Sequence, residues 1–191
     1  MITTKYAEDQ LIQWTKPASD SEENRIENTI SRVKSAVWQY DWANNGIHYM
    51  PTVDLKGSYK SNTNVKRDSD VDLYVLFSAH WYITNSVQQV SVQHVGGSLT
   101  CTQFRDHLER ALRNVFGSDI DTTSPKAFKI RSNAYRVNAD VTPFVTANHE
   151  SNPAENGMCF IDRGGNFFIN FSEQDYTNGV RKNGSSGIRV I

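Results

Sequence analysis

The sequence predicts an α+β protein in which helices pack against a mixed β-sheet. Two stretches carry apolar residues at helical spacing, and two others alternate between apolar and polar residues. The 191 residues contain no internal repeat and no recognisable linker between domains. We therefore expect residues 1–191 to form one domain with a single main core.

The first predicted helix covers about residues 20–44 and ends at an Asn-Asn-Gly run. Ser19 and Glu22 have the spacing of a capping box at its start. Its apolar stripe consists of Ile26, Ile30, Val33 and Val37. Trp38 and Trp42 stand one turn apart on this helix, which favours packing of both rings over stacking on bases.

The second predicted helix follows the Gly-Gly-Ser run of residues 96–98, and Gly117 stands where a C-cap belongs. Its apolar stripe consists of Phe104, Leu108, Leu112 and Val115. Two stripes of this kind each need an apolar surface to cover them, which the predicted sheet provides.

Residues 71–77 and residues 135–142 alternate with period two and are predicted to be strands. Pro143 marks the end or an edge of the second strand. Residues 47–58 can form an extended segment that runs into a Gly-Ser turn, and Pro51 would place this segment near a sheet edge. The run CFIDRGGNFFIN near the C-terminus has the pattern of a hairpin.

The overall charge excludes some classes of protein. There are 20 Lys and Arg residues against 21 Asp and Glu residues, a net charge of -1, so a dedicated nucleic-acid binder is not expected. The basic cluster Lys126, Lys129, Arg131 and Arg136 is interpreted as a solvated face rather than a regulatory nucleic-acid patch. No apolar run approaches the roughly 20 residues of a membrane span, and the polar start is not that of a signal peptide.

Cys101 and Cys159 are expected to be free buried thiols, because they are far apart in sequence and have no ligand partners at metal-site spacing. The five histidines also lack the spacing of a zinc site. These features favour a reducing, cytoplasmic setting.

Two aspartates stand at the start of the strand of residues 71–77. Asp70 and Asp72 are two positions apart, so their carboxylates share one face of the strand. Like charges this close repel each other, and burial raises the energy of both. A divalent metal would compensate them, and Mg²⁺ is commonly held by one or two carboxylates together with substrate phosphates.

Asp140 is the best candidate for a third carboxylate, because it lies on the polar face of the other alternating strand. Gly57 and Ser58 precede the acids by a short loop and could let a phosphate approach the backbone. Lys56, Lys60, Lys66 and Arg67 surround this turn and could offset polyphosphate charge. Solvated acids at a strand start remain the alternative interpretation, since an Asp-x-Asp pattern alone is common.

The run from Gly57 to Leu73, GSYKSNTNVKRDSDVDL, resembles the signature of nucleotidyltransferases with the polymerase β-like fold. Three further runs, QWTKPASDSEEN, YRVNADVTPF and NFSEQDYTNGVRKN, make the resemblance narrower. Together, from Gln13 to Asn183, the four segments resemble the bacterial cGAS/DncV-like nucleotidyltransferases, the CD-NTases of anti-phage signalling.

The resemblance implies an enzyme that joins nucleoside triphosphates into cyclic oligonucleotide messengers, which act on a downstream effector. By position, Gly57 and Ser58 would hold the donor triphosphate. Asp70, Asp72 and Asp140 would be catalytic and would bind two Mg²⁺ ions, with Mn²⁺ as an alternative ion. The family usually continues into a helical C-terminal domain, so we expect residues 1–191 to correspond to the catalytic domain alone.

Two alternatives stay open at the level of sequence. A minimal nucleotidyltransferase that transfers AMP to protein would carry a similar motif. A non-catalytic nucleotide-binding fragment that needs a partner chain would be consistent with the missing C-terminal domain.

Overall fold

The computed structural model describes residues 19–48, 50–60, 70–84, 91–94, 101–149, 157–163 and 167–170. Several expectations fall outside these residues: the N-terminal segment with Trp14, the basic loop with Lys66 and Arg67, the Gly-Gly-Ser run of 96–98 and the C-terminal tail. The side chains of Ser58, Lys60, Cys101 and Cys159 also lie outside the described set. None of the described helices is long and apolar enough to cross a membrane.

The described helices are α1 (Asp20–Trp38), α2 (Gly57–Lys60) and α3 (Cys101–Phe116), with single 3₁₀ turns at Ala43–Asn45 and Gly117–Asp119. The long helices α1 and α3 pack against each other and against the apolar face of the sheet. Ser19 is the N-cap of α1 as predicted, but its hydroxyl contacts the Ser21 hydroxyl at 3.1 Å instead of closing a capping box. The second helix forms as predicted.

Eight strands are described: β1 (Thr52–Leu55), β2 (Val71–Thr84), β3 (Ser91–His94), β4 (Ile120–Asp121), β5 (Phe128–Ile130), β6 (Ala139–His149), β7 (Gly157–Ile161) and β8 (Phe167–Asn170). Their main order is β1-β2-β6-β5-β4, while β3 pairs with β2, and the β7–β8 hairpin pairs with β6 through β7. The β2–β6 pairing is parallel and every other described pairing is antiparallel, so the predicted mixed sheet and α+β class are confirmed.

The two faces of the central strands differ in polarity. Val71, Leu73, Val75 and Phe77 are buried against the helices. The alternate positions Asp72, Tyr74 and Leu76 are only half-buried. The period-two pattern therefore placed the apolar residues on the core side and left the acidic residues on the opposite face.

The first helix is shorter than predicted. It ends at Trp38, and the chain turns so that the Trp42 indole N–H donates to the Val37 carbonyl oxygen at 2.6 Å. Trp42 is buried, with its ring centroid 4.7 Å from that of Tyr40 and 5.9 Å from that of Phe104. Trp38, by contrast, is 55% exposed. The expectation that both tryptophans pack is therefore wrong for Trp38, and Trp42 packs from a position beyond the end of the helix.

Strand β6 also departs from the prediction. It begins at Ala139, because residues 133–136 form a turn in which Arg136 is buried and paired with Asp119. It continues through Pro143, which was expected at the end or an edge of the strand. Pro143 falls where β5 has ended and β7 has not yet begun to pair, so one side of β6 is locally an edge. Proline has no N–H to donate, and such an edge is where a strand tolerates it.

We expect Trp42→Ala to lower the free energy of unfolding by about 3–5 kcal/mol, because it removes a buried aromatic ring and its hydrogen bond. Trp38→Ala is the matched control, and at this exposed position we expect a change within about 0.5 kcal/mol. Urea unfolding followed by circular dichroism measures both. Equal losses for the two variants would contradict the assignment of Trp42 to the core.

Candidate active site

The parallel pairing of β2 with β6 brings two of the predicted acids side by side. Asp72 of β2 and Asp140 of β6 are register partners, so their side chains project from the same face of the sheet. Asp70 immediately precedes β2 and is exposed, whereas Asp72 and Asp140 are half-buried. The structure thus places Asp72 and Asp140 side by side, with Asp70 just before the start of β2, and the catalytic roles of the three acids stay a prediction.

The carboxylates repel one another, as the sequence led us to expect. The pKa of Asp72 is raised, first by burial and then by the charges of Asp140 and Asp70, while Lys56 acts in the opposite direction. The pKa of Asp140 is also raised by burial and by Asp70, and Lys129 opposes the shift. The site therefore concentrates negative charge in a partly desolvated place, where a bound cation would relieve the repulsion.

Each of the two half-buried acids has a lysine close by. Lys56 follows β1, its backbone N–H donates to the Asp72 carbonyl oxygen at 2.7 Å, and its Nζ lies 5.0 Å from the ring centroid of Phe144. Lys129 is the register partner of Asp140 on β5. Sequence reasoning placed Lys56 near the turn but assigned Lys129 to a solvated basic cluster. The proximity of Lys129 to Asp140 follows from the register between β5 and β6, which no local pattern in the sequence predicts.

Gly57 packs directly against the acids. It has a φ of +69°, and it begins the short helix α2 rather than a simple turn. A Cβ atom at this position would collide with the Asp72 carboxylate. Glycine is therefore favoured here by the backbone conformation, and any larger residue would also force the Asp72 carboxylate to shift. Ser58 is the second residue of α2, but its side chain is not among those described.

A second polar pair continues along the same face. The Tyr74 hydroxyl donates to Asp54 Oδ2 at 3.2 Å, and burial followed by the Asp54 charge raises the pKa of Tyr74. The Tyr74 ring meets that of Phe144 edge-on, with centroids 6.0 Å apart. These contacts give Tyr74 a packing role next to the acids.

A Mg²⁺ ion suits this set of donors. Among the residues that the structure describes, no three His, Cys, Asp or Glu side chains cluster tightly enough to form a ready-made metal cage. Mg²⁺ does not require one, since it is usually held by one or two carboxylates, substrate phosphates and water. Asp72 and Asp140, on neighbouring strands and on one face of the sheet, could supply the carboxylate oxygens that such an ion needs.

The mixed sheet, with Asp72 and Asp140 on neighbouring parallel strands next to Gly57, is consistent with the polymerase β-like nucleotidyltransferase fold that the sequence predicts. The structure superposes on the Rhodothermus marinus CdnE c-UMP-AMP synthase with a TM-score of 0.68 at 24% identity, covering 96% of this chain and 62% of that one. It superposes on the Elizabethkingia meningoseptica CdnE cyclic dinucleotide synthase with a TM-score of 0.63 at 27% identity, covering 94% and 60%. The predicted fold is confirmed.

Sequence comparison agrees. The chain is 35% identical to a cyclic dipyrimidine nucleotide synthase from Legionella pneumophila, over 93% of this chain and 62% of the relative. It is 32% identical to a protein of the same name from Cecembia lonarensis, over 97% and 63%. The chain matches no protein-family model. The chain is thus similar to cyclic nucleotide synthases, in agreement with the resemblance to CD-NTases seen in its motifs, and it spans about three fifths of the length of these relatives.

Proposed function

We propose that this chain is the catalytic domain of a nucleotidyltransferase that joins nucleoside triphosphates into cyclic oligonucleotides. The parallel register of Asp72 with Asp140 supports this proposal most strongly, because it places two carboxylates on one face of the sheet, beside a glycine whose replacement would displace one of them. The relatives named as cyclic nucleotide synthases support the same reaction class. The resemblance further suggests a cytoplasmic role in anti-phage signalling, with the product acting on a downstream effector.

In this proposal Asp70, Asp72 and Asp140 would hold two Mg²⁺ ions. When bound, these ions would lower the pKa of the attacking hydroxyl and stabilise the pyrophosphate that leaves. Asp140 would lie nearest the attacking hydroxyl. In-line displacement of this kind depends mainly on positioning and on charge neutralisation.

The remaining residues of the site would position the donor nucleotide. Gly57 leaves room beside Asp72, and we propose that Gly57 and Ser58 hold the donor triphosphate. Lys56 and Lys129 would reduce the net negative charge that an incoming triphosphate meets. The relatives include both dipyrimidine and dipurine synthases, so the similarity of this domain specifies the reaction class and not the bases.

Product analysis tests the proposal. The chain is incubated with four labelled nucleoside triphosphates and Mg²⁺ or Mn²⁺, and phosphatase-resistant products are resolved, with the Asp70→Ala/Asp72→Ala double variant as the control. A resistant product that the control lacks supports a cyclic oligonucleotide synthase. Label on protein instead would select AMP transfer, and nucleotide binding without product would select a fragment that needs a partner chain.

A further inference from the structure

Thr29 is a fully buried polar residue in α1, on the core side of the sheet and away from the acidic face. Its hydroxyl donates to the Arg25 carbonyl oxygen at 2.7 Å, which is an ordinary bond within a helix. The same Oγ1 accepts a hydrogen bond of 3.0 Å from the backbone N–H of Val137. This second bond joins α1 to a segment more than a hundred residues later, only three positions before Asp140.

Arg25 holds the same segment one turn earlier in α1. Its guanidinium donates to the carbonyl oxygens of Asn133 at 3.1 Å and Arg136 at 3.0 Å. We call residues 131–138, which connect β5 to β6, the 131–138 turn. Three bonds from α1 therefore fix the backbone of this turn.

The 131–138 turn is also held from within and from α3. Arg136 donates from Nε to the Arg131 carbonyl oxygen at 2.8 Å, pairs with Asp119 and lies over the Phe116 ring. The Asn138 side chain accepts from the Ser132 N–H at 2.7 Å. The turn is thus a fixed element whose position depends on the helices beneath the sheet.

The end of the turn leads directly into the acidic site. The carbonyl oxygen of Asn138 accepts a hydrogen bond of 2.9 Å from the N–H of Val71, the residue between Asp70 and Asp72. Asp140 follows Asn138 by two positions, and the Val71–Ala139 pair starts the parallel register. The backbone of Asn138 is therefore bonded to the residue between Asp70 and Asp72, two positions before Asp140.

We propose that Thr29 and Arg25 are positioning residues that set the Asp140 carboxylate relative to Asp72 through the 131–138 turn. The inference rests on the proposed function, since it assigns these residues a part in the same reaction. Neither residue needs to touch substrate. A small displacement of reacting groups is costly in transfer reactions, so a shift of this turn would slow turnover without removing any acid.

The experiment compares Thr29→Val, which removes the hydroxyl at nearly constant shape, with Thr29→Ser, which keeps it. Arg25→Met, at a half-buried position, removes the two bonds from the guanidinium while keeping an apolar stem. Ile26→Val lies on the same helix and is the control for lost packing alone. Each chain is measured for melting temperature, for kcat and KM, and for Mn²⁺ binding by electron paramagnetic resonance with a non-hydrolysable nucleoside triphosphate analogue.

We expect Thr29→Val and Arg25→Met to lower kcat by about tenfold and to weaken Mn²⁺ binding several-fold, with KM for nucleotide changed less than about twofold. Thr29→Ser and Ile26→Val should behave as the wild type in both measurements. If Thr29→Val does not fold, Arg25→Met decides the question by the same readouts.

Equal kcat and Mn²⁺ affinity in Thr29→Val and Thr29→Ser would overturn the inference. The inference would also be overturned if Ile26→Val lost as much kcat and Mn²⁺ affinity as Thr29→Val while melting at a similar temperature. That result would show that Thr29 contributes to stability only. A wild-type chain that neither turns over nor binds Mn²⁺ with the analogue would instead overturn the proposed function, and the positioning role with it. The wild-type measurements thus separate the two failures.

Discussion

Replacing Asp72 with asparagine should abolish turnover and at the same time stabilise the fold. We expect kcat/KM to fall by about 10²–10³-fold or more, because Asp72 would hold the proposed Mg²⁺ ions, and loss of one preorganised electrostatic contact in a transition state costs about that much in rate. Asp72 is the acid whose pKa responds to both of the other carboxylates, so its loss affects the whole set. Steady-state product formation measures the activity.

The stability gain has a definite sign and pH dependence. Because the pKa of Asp72 in the folded protein is raised above its ordinary value of 3.8, the folded state binds the proton more tightly than the unfolded state. Below this ordinary pKa, Asp72 is protonated in both states and does not lower the stability of the wild type. As the pH rises through the raised pKa, Asp72 ionises in the folded protein and the wild type loses stability. Asp72→Asn should melt at a higher temperature than the wild type at pH 7, and the difference should shrink on acidification.

Added Mg²⁺ provides a second readout for this variant. An ion that binds only the folded state raises the melting temperature, so the wild type should respond to Mg²⁺ with a nucleotide analogue more strongly than Asp72→Asn. Asp106→Asn, an exposed change on α3 across the sheet, is the control and should alter neither activity nor the Mg²⁺ response. Lower stability of Asp72→Asn at pH 7 would contradict the proposed repulsion among the acids.

Replacing Gly57 with alanine should inactivate the site, whereas replacing Gly46, a glycine of similar φ, with alanine should not. Gly57 and Gly46 have similar φ values, +69° and +79°, so alanine meets the same backbone penalty of about 1 kcal/mol at both positions. A Cβ atom at Gly46 meets nothing within 4 Å, whereas one at Gly57 collides with the Asp72 carboxylate. The pair therefore separates backbone strain from displacement of the acid.

We expect Gly57→Ala to reduce turnover by about a hundredfold or more, since the Asp72 carboxylate must move to make room. Gly46→Ala should retain nearly full activity. Thermal unfolding and product formation are measured for both, with Mn²⁺ binding as an independent report on the acids. Similar activities of Gly57→Ala and Gly46→Ala would show that the close approach of Gly57 to Asp72 does not affect turnover.

Local patterns were sufficient to predict much of this molecule. Period-two alternation identified residues 71–77, the first half of β2, and the spacing of Asp70 and Asp72 together with the polar position of Asp140 indicated one acidic face. These features follow from the geometry of a single strand, which any sequence expresses directly. The resemblance to CD-NTases then added the order of the segments and the fold.

The errors arose where distant residues decide the outcome. The apolar stripe of α1 gives no sign that Trp42 leaves the helix to pack near Phe104, because that contact depends on α3. The start of β6 was set too early because the Arg136–Asp119 pair holds the preceding residues in a turn. The pairing of Lys129 with Asp140 likewise required the strand register, which is a property of the assembled sheet.

The parallel pairing of β2 with β6 also has a consequence for folding. Parallel strands need a long crossover, so Asp72 and Asp140 meet only after the intervening chain has been closed into a loop. The acidic site therefore forms in the same cooperative event as the centre of the sheet. Amide protons of the paired β2 and β6 residues should exchange most slowly with solvent, and activity on heating should be lost together with the fold.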